Sequence, residues 1–313
     1  MNPAREPGER EGLAAKRPAL HLRARLLASI RSYFSAHDFL EVETPVRLRT
    51  PALELHIDAE PAGSAWLRTS PELHMKRLLA AGYPRLFQMG PCFRQGEFGR
   101  LHHPEYTMLE WYRAGADNRD ILADAQAMIR QAARDVLGGE VIPAATGPIN
   151  VGGEWAVLTV SEAFTRFAGW DPVVSYDEDR FEMDLMRLVE PALPRDRPCV
   201  LTGYPAAAAA LARLDPADPR VAERWELYAG GVELANAYTE LTDAAEQEKR
   251  FEECAEARRK LGKVVYPLDE GFLQALRAGM PPCGGVALGV DRLAMLLAGK
   301  DSLEAVTAFR PGD

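Results

Sequence analysis

The chain has 313 residues, of which 37 are Lys or Arg and 46 are Asp or Glu, so its formal net charge is −9. Hydrophobic residues make up 47% and charged residues 27% of the chain, which is typical of a folded globular protein and excludes a disordered or fibrous one. The acidic balance also argues against general binding to a nucleic-acid backbone, because that binding depends on clustered Lys and Arg.

The first 18 residues mix both charge signs with proline and glycine and contain no apolar core segment. They therefore do not match a signal peptide, and we predict a disordered leader over residues 1–18 followed by one domain over residues 19–313. No apolar stretch approaches the roughly 18 residues that a membrane-spanning helix requires. The four cysteines form no CxxC pair, which is typical of reduced thiols in a cytoplasmic protein.

Apolar residues recur at helical spacing from Ala19 and predict a first helix that ends near His37. Alternation in FLEVETPV predicts a strand over residues 39–46. A helix is predicted over residues 70–82, because Ser70 and Pro71 suit its start. The segments RLFQMGPCFR and PEYTMLEWYR then predict a long antiparallel hairpin around a polar loop, residues 95–103.

A second amphipathic helix is predicted from Ile121 to Val136, followed by a loop-rich connection over residues 138–154. Shorter helices are predicted over residues 160–168, 178–189 and 206–214. Later segments predict a hairpin that turns near Gly230, a helix capped by Asp243 and Glu246, and a strand that runs into a final helix. Hairpins separated by helices indicate the α+β class, with a mostly antiparallel sheet flanked by helices.

Two acidic residues face each other across the late hairpin. A turn at Gly230-Gly231 would set Glu226 diagonally beside Glu233, whereas a turn one residue earlier would pair them directly; both registers place the two carboxylates on one face. Like charges so placed favour a bound cation such as Mg²⁺. The alternatives are a solvated acidic face, or a three-residue turn that separates the two.

Two arginines stand where strands end. Arg94 precedes the polar loop, and Arg292 begins the final helix after a strand that places Gly285, Ala287 and Gly289 on one face. Arginine at a helix start opposes the helix dipole, which favours a role toward a phosphate, although a surface pair with Asp291 is an equal alternative. The sequence has neither a GxxxxGK[ST] phosphate loop nor an HExxH motif.

Three segments of the chain, in order, resemble the three motifs of class II aminoacyl-tRNA synthetases. They are LEVET with the following Pro45, FRQGEFGRLHHPEYTMLEWY, and GGVALGVDRLAML. SPELHMKRLLAAG and ELYAGGVELANAYTEL make the lysyl branch the most similar, and the resemblance covers residues 19–310. It implies an ATP-dependent reaction in which an amino acid is activated as its adenylate.

The resemblance also implies roles for individual residues. Arg94 and Arg292 would be catalytic, holding phosphate groups, and Glu226 with Glu233 would hold Mg²⁺. The implied ATP-binding residues are Arg94, Gln95, Gly96, Glu97, His103, Glu233, Leu234, Gly289 and Arg292. Gly96 and His103 depart from the usual Glu and Asn, so Glu97 is expected to take over the adenine contact.

A lysine-like substrate carries two ammonium groups, which need acidic partners when they are buried. By resemblance, Glu72 would bind the amine near the carboxyl group, and Glu240 with Tyr112 the terminal ammonium; a helix-dipole role is the alternative for Glu72. Ala287 replaces a glycine of lysyl-tRNA synthetases and would favour the β-amino isomer. The implied substrate-binding residues are Ser70, Pro71, Glu72, Tyr112, Glu240 and Ala287.

The expected acceptor follows from the N-terminus. A bacterial lysyl-tRNA synthetase carries an anticodon-binding domain before this core, whereas only the short leader precedes it here. The pattern is similar to the freestanding branch that attaches (R)-β-lysine to elongation factor P. Elongation factor P is therefore the expected partner, and tRNA is not. The alternatives are a minimal lysyl-tRNA synthetase and a catalytically inactive regulatory paralogue. The first motif also implies a homodimer centred on Pro45.

Overall fold

The computed structural model describes residues 8–311. The α-helices are α1 (Glu9–Ala36), α2 (Glu72–Ala80), α3 (Asn118–Leu137), α4 (Val160–Phe167), α5 (Glu178–Asp184), α6 (Ala244–Lys260), α7 (Glu270–Gly279) and α8 (Val290–Leu297). The strands are β1 (Leu40–Glu41), β2 (Arg47–Leu48), β3 (Pro61–Ala62), β4 (Ala65–Leu67), β5 (Arg85–Phe93), β6 (Glu105–Ala114), β7 (Val141–Ile142), β8 (Ile149–Asn150), β9 (Ala156–Thr159), β10 (Cys199–Pro205), β11 (Val221–Ala229), β12 (Val232–Thr239) and β13 (Cys283–Gly289).

An eight-stranded sheet organises the molecule, in the order β1-β5-β6-β13-β12-β11-β10-β9. The six central strands are antiparallel to one another, and the edge strands β1 and β9 pair in parallel with β5 and β10. The predicted α+β class and mostly antiparallel sheet are confirmed. Each helix within residues 8–311 is too short or too polar to span a lipid bilayer.

The two faces of the sheet have different functions because side chains alternate along each strand. On one face, Trp111 of β6 packs with α1, α3 and α8 in the largest hydrophobic cluster. The ring of Phe34 stacks on Phe87 at 4.7 Å and lies 5.2 Å from Trp111. On the other face, Tyr112 joins a cluster with α2, α6 and α7. This second face is left open at its centre, where the cleft described below is found.

The N-terminal prediction was wrong in part. Helix α1 begins at Glu9 instead of Ala19, so residues 9–18 of the predicted leader are helical, while residues 1–7 lie outside the described residues. Pro18 lies within the helix, and its neighbours are mostly good helix formers. Lys16 also reaches the carbonyl of Ala308, so this turn contacts the body of the protein.

Several local predictions also need correction. The helix predicted over residues 206–214 is only a 3-10 turn, Ala206–Ala208, that follows the unpredicted strand β10. The alanine run has high helix propensity, but Ala210 adopts a positive φ of 49° and the end of the run pairs in two isolated bridges, Ala212 with Glu240 and Leu214 with Ala222. Only Leu40–Glu41 of the predicted first strand pairs within the large sheet. The predicted loop-rich connection over residues 138–154 contains the short strands β7 and β8. Helix α7 was not predicted.

The late hairpin turns at Gly230-Gly231, as the first of the two registers requires. Both glycines have positive φ, 60° and 80°, which suits a two-residue hairpin turn. Tyr228 pairs with Glu233, but Leu227 pairs with Ala235, so Leu234 is an extra residue in β12. This bulge places Glu226 opposite Asn236, and both carboxylates remain on one face.

Candidate active site

A cleft with about 1080 Å³ of empty space opens over the centre of the sheet. Strands β6, β12 and β13 form its floor, the start of α2 closes one end, and the loop after β5 with the start of α8 closes the other. Most residues predicted for substrate or ATP meet in it: Ser70, Glu72, Arg94, Glu97, His103, Tyr112, Glu233, Leu234, Glu240, Ala287, Gly289 and Arg292.

Arg94 lies at one end of the cleft, where β5 enters the polar loop. Its guanidinium lies 5.3 Å from the ring centroid of Tyr106 and 3.7 Å from the carboxylate of Glu97. The Nε atom of Arg94 is buried and has no hydrogen-bond partner. A buried donor without a partner is costly unless a ligand completes it, and a phosphate or carboxylate oxygen has the required charge.

Arg292 stands on the opposite side of this end and points into the protein. Its Nη1 donates to the carbonyl of Glu233 at 2.9 Å and to the Glu233 carboxylate at 3.3 Å, and Nη2 lies 2.7 Å from Nε2 of His102. The alternative of a surface pair with Asp291 is wrong, because Asp291 is buried and pairs with Arg23 at 2.5 Å. Both arginines therefore contribute positive charge to the same end of the cleft.

Acidic residues dominate the other end, where a buried lysine joins two of them. The Nζ atom of Lys76 lies 2.5 Å from Oε1 of Glu72 and 2.5 Å from Oε2 of Glu240. Burial alone would lower the pKa of Lys76, but the two carboxylates raise it well above its usual value. Lys76 was not predicted; it follows Glu72 by one helical turn, a spacing at which side chains meet.

Glu110 is a further acid that the sequence analysis missed. It lies between Ser70, whose hydroxyl donates to it at 2.7 Å, and Tyr112, whose hydroxyl donates at 3.0 Å. Burial, reinforced by the negative charge of Glu72, raises the pKa of Glu110 to about 8. The available signal was its i,i+2 spacing from Tyr112 in an otherwise apolar strand, which places both on the cleft face.

The floor of the cleft depends on small residues of β13. Gly285 pairs with Tyr112 and Tyr238, and a Cβ atom at this position would overlap the ring of Tyr112 and Oε1 of Glu240. Ala287 lies between Glu110 and Asn236 in the sheet. A Cβ atom at Gly289 would meet only Arg292, at 3.6 Å. Glycine at position 285 is therefore required for the acidic end to exist.

Glu226 and Glu233 line a second, smaller pocket beside the cleft. Burial and the charge of Glu226 raise the pKa of Glu233. The Tyr228 hydroxyl lies 2.7 Å from Glu226 and 3.2 Å from Glu190, a third acid that was not predicted, and burial raises the pKa of Glu190 to about 7. Within residues 8–311, no group of three or more His, Cys, Asp or Glu side chains is arranged as a metal site.

The carboxylate pair nevertheless fits a Mg²⁺ ion. Glu226 is buried and Glu233 is partly exposed. Two like charges on one face gain from a shared cation, and Mg²⁺ commonly uses one or two carboxylates together with substrate phosphates. Arg224 supplies part of the compensation, because its Nη2 lies 2.6 Å from Glu226.

Three other predicted residues, Pro71, Gln95 and Gly96, lie next to the cleft and do not line it. Pro71 precedes the first residue of α2. The backbone N–H of Gln95 donates to Asp58 at 2.7 Å, and Gly96 adopts a φ of 78° in the following turn. Gln95 and Gly96 shape the path of the chain after Arg94, and their contact with ATP stays a prediction, as does the contact of Pro71 with the amino acid substrate.

An antiparallel sheet whose open face carries two arginines at one end of a cleft and glutamates at the other defines a class II synthetase-like catalytic domain. The chain belongs to the family of class II tRNA synthetases for D, K and N, whose model matches residues 14–311. It is similar to the elongation factor P–(R)-β-lysine ligase of Vibrio cholerae serotype O1, with 39% identity over 93% of this chain and 94% of the relative. The ligase of the same name from Hamiltonella defensa is 37% identical, over 92% of this chain and 93% of the relative.

Proposed function

We propose that the protein activates (R)-β-lysine with ATP and transfers it to a lysine side chain of elongation factor P. The observation that carries this proposal is the division of charge in the cleft: Arg94 and Arg292 at one end suit a carboxylate and phosphates, while Glu72 and Glu240 at the other suit ammonium groups. Two relatives that align over more than nine-tenths of the chain carry the name of this ligase.

The first reaction step needs positive charge more than it needs a base. The amino acid carboxylate attacks the α-phosphorus of ATP, the bond to the bridging oxygen breaks, and pyrophosphate leaves. Because the nucleophile is already ionised, catalysis here consists of alignment and stabilisation of charge on the phosphate oxygens. Arg94 is suited to the α-phosphate and the substrate carboxylate, and Arg292 to the outer phosphates.

The remaining cleft residues bind the two substrates. Glu97, which pairs with Arg94, and His103, which lines the same cleft, are proposed for adenine. Burial lowers the pKa of His103 and favours the neutral imidazole. Glu226 and Glu233 would hold Mg²⁺, which supplies further positive charge at the phosphates when bound. In the second step, the neutral acceptor amine attacks the carbonyl carbon of the adenylate, the bond from that carbon to the AMP oxygen breaks, and AMP and one proton are released.

The decisive experiment is modification of the proposed acceptor. We expect purified protein with ATP and (R)-β-lysine to increase the mass of elongation factor P by one lysyl residue, detected by intact mass spectrometry. Charging of tRNA with α-lysine at a comparable rate would instead assign a minimal lysyl-tRNA synthetase. Absence of pyrophosphate exchange with either lysine isomer would assign an inactive paralogue.

We also propose that the enzyme is a cytoplasmic homodimer of one catalytic domain that does not use tRNA. The four cysteines are free, which is typical of proteins in reducing compartments. Pro45 and Leu40 of the first motif are exposed and are available to a second copy. The net charge of −9 disfavours tRNA. Light scattering at micromolar concentration tests the dimer, for which a mass near twice that of the chain is expected.

A further inference from the structure

Among the described acidic residues that line the cleft, Glu54 is distinguished by its missing partner. Glu72 and Glu240 pair with Lys76, Glu110 accepts from two hydroxyls, and Glu97, Glu233 and Asp291 pair with arginines. The carboxylate of Glu54 makes neither a hydrogen bond nor an ion pair, although it faces the cleft. A carboxylate held in this way is available to a ligand cation.

Glu54 lies toward the arginine end of the cleft. Apart from burial, the charges that act on its pKa are those of Arg94, Glu72, Arg224 and Glu97, in that order. Tyr106 and Tyr238 also lie close enough to feel its charge. By contrast, Tyr112 and Glu240 lie against Lys76, with the Lys76 Nζ atom 5.9 Å from the ring centroid of Tyr112 and 2.5 Å from Oε2 of Glu240. Glu54 therefore lies where the carboxyl end of an amino acid would enter.

The charges at the acidic end show that one more acid is required. Glu72, Glu240 and the ammonium of Lys76 together carry at most one net negative charge, because burial also raises the pKa of Glu240, to about 7. A lysine-like substrate, by contrast, brings two ammonium groups. Glu110 does not fill the gap at neutral pH, because its raised pKa keeps it largely protonated. One substrate ammonium would remain without an acidic partner if Glu72 and Glu240 were the only acceptors, and such a group is expensive to bury.

We infer that Glu54 is the second acceptor for the amine on the carboxyl side of the substrate, acting together with Glu72. This inference rests on the proposed function, because it assumes a substrate with two ammonium groups. Burial raises the pKa of Glu54 to about 7 in the empty cleft. A bound ammonium favours the ionised form, so binding below pH 7 is coupled to release of a proton from Glu54.

The loop that carries Glu54 is held in place by a buried arginine. Arg258 of α6 donates to the backbone carbonyls of Glu54 at 2.5 Å and Ile57 at 3.0 Å, and to the carboxylate of Asp58 at 2.5 Å. Because the Asp58 carbonyl accepts from Gln95, the same loop is tied to the residue after Arg94. Glu54 and Arg94 are thus positioned by one connected set of hydrogen bonds.

The test compares the Glu54→Gln variant with wild type in pyrophosphate exchange, which does not need the acceptor protein. We expect the KM for (R)-β-lysine to rise roughly 10- to 100-fold in the variant, the range for loss of a charged hydrogen bond. The inhibition constant of 6-aminohexanoate, which lacks the amine in question, should stay within about twofold of wild type. Below pH 7, the slope of log KM against pH should also be less steep by about one in the variant, because one proton is no longer released.

Two further variants control the result. Glu60→Gln removes the same charge from the same stretch of chain outside the cleft, and it should behave as wild type. Glu54→Asp retains the charge and should keep the pH slope even if its KM rises, which separates a binding role from a defect in folding.

Other outcomes would overturn the inference. An unchanged KM for lysine would do so, as would an equal loss of affinity for lysine and 6-aminohexanoate. Normal exchange with slow transfer to the acceptor would place Glu54 in the second step instead. Failure of wild type to modify elongation factor P while exchange remains normal would overturn only the proposed acceptor. Absence of wild-type exchange with both lysine isomers would overturn both proposals.

Discussion

The Nζ atom of Lys76 lies 2.5 Å from Oε2 of Glu240, and both side chains are almost fully shielded from solvent. Lys76 of the protein thus pairs with one oxygen of Glu240, the carboxylate that the sequence analysis assigned to the terminal ammonium of the substrate. The pair joins helix α2 to the residue that follows strand β12. It therefore stabilises the fold and also sets the charge of the cleft.

Replacement of Lys76 tests this double role. We expect Lys76→Met to lower the free energy of unfolding by roughly 3–5 kcal/mol, because it leaves two buried carboxylates without their cation. Urea denaturation measures the loss, and the double variant Lys76→Met/Glu240→Gln should recover part of it. Lys249→Met, at an exposed position of α6, should change stability by less than about 0.5 kcal/mol; equal effects at the two positions would contradict the expectation.

Glu110 should make stability depend on pH. The folded protein holds the Glu110 proton up to about pH 8, whereas the ordinary pKa is 4.5. Ionisation therefore favours the unfolded chain, and this penalty grows from about pH 4.5 to about pH 8. The free energy of unfolding of Glu110→Gln, relative to wild type, should rise across this range by at most about 5 kcal/mol.

Denaturation at several pH values measures this difference for Glu110. Glu105→Gln, at the exposed start of the same strand, serves as the control and should follow wild type. A pH-independent difference between Glu110→Gln and wild type would show that Glu110 is ionised in the folded protein.

A methyl group at position 285 should distort the acidic end of the cleft. Gly285→Ala places its Cβ against Tyr112 and Glu240, so we expect a loss of roughly 1–3 kcal/mol in stability and a large rise in the KM for lysine. Gly289→Ala has room for its Cβ, and its stability should equal that of wild type. Denaturation and exchange kinetics on both variants give the comparison, and identical stabilities would be inconsistent with the crowded floor.

The proposed magnesium ligands can be tested separately from lysine binding. Glu233→Gln should raise the Mg²⁺ concentration that gives half-maximal exchange by roughly 10-fold or more, because one anionic oxygen ligand is lost. The KM for lysine should change by less than about twofold, since Glu72 and Glu240, the carboxylates proposed to bind lysine, remain. Glu223→Gln on the neighbouring strand β11 is the control. An unchanged Mg²⁺ requirement in Glu233→Gln would remove this residue from the metal site.

Ala287 is expected to contribute to selection between lysine isomers. Ala287→Gly removes one methyl from the floor, and a one-carbon discrimination is worth about 1–3 kcal/mol. We therefore expect the ratio of kcat/KM for (R)-β-lysine over α-lysine to fall by roughly 5- to 100-fold. Exchange rates with the two isomers measure this ratio, while the KM for ATP should not move. An unchanged ratio would assign selectivity to other residues.

The sequence could predict those parts of the site that depend on local order. Arg94 at the end of a strand and the small residues of β13 were recognisable from alternation and motif spacing. The pairing of Lys76 with Glu240 was not, because it joins segments that are distant in the chain and depends on the fold. Glu54 was missed for a related reason: its loop has no regular periodicity, and its position is set by Arg258 from α6.

The alanine-rich run after strand β10 shows where local propensity gives the wrong answer. The run is a good helix former in isolation, but Ala212 pairs with Glu240 and Leu214 pairs with Ala222 in the structure. Pairing across the sheet outweighed propensity there, as tertiary contacts commonly do.

The extra residue Leu234 in β12 changes which residues of the strand face the cleft: odd-numbered residues before it and even-numbered residues after it. Before it, Glu233 faces the cleft; after it, Asn236, Tyr238 and Glu240 face the cleft. In a strand with strict alternation, odd and even positions would point to opposite sides, and these two groups could not share one face. A strand that kept Leu234 but paired it regularly, without the bulge, would therefore place the proposed phosphate and lysine functions on opposite sides of the sheet, although no functional side chain would have been removed.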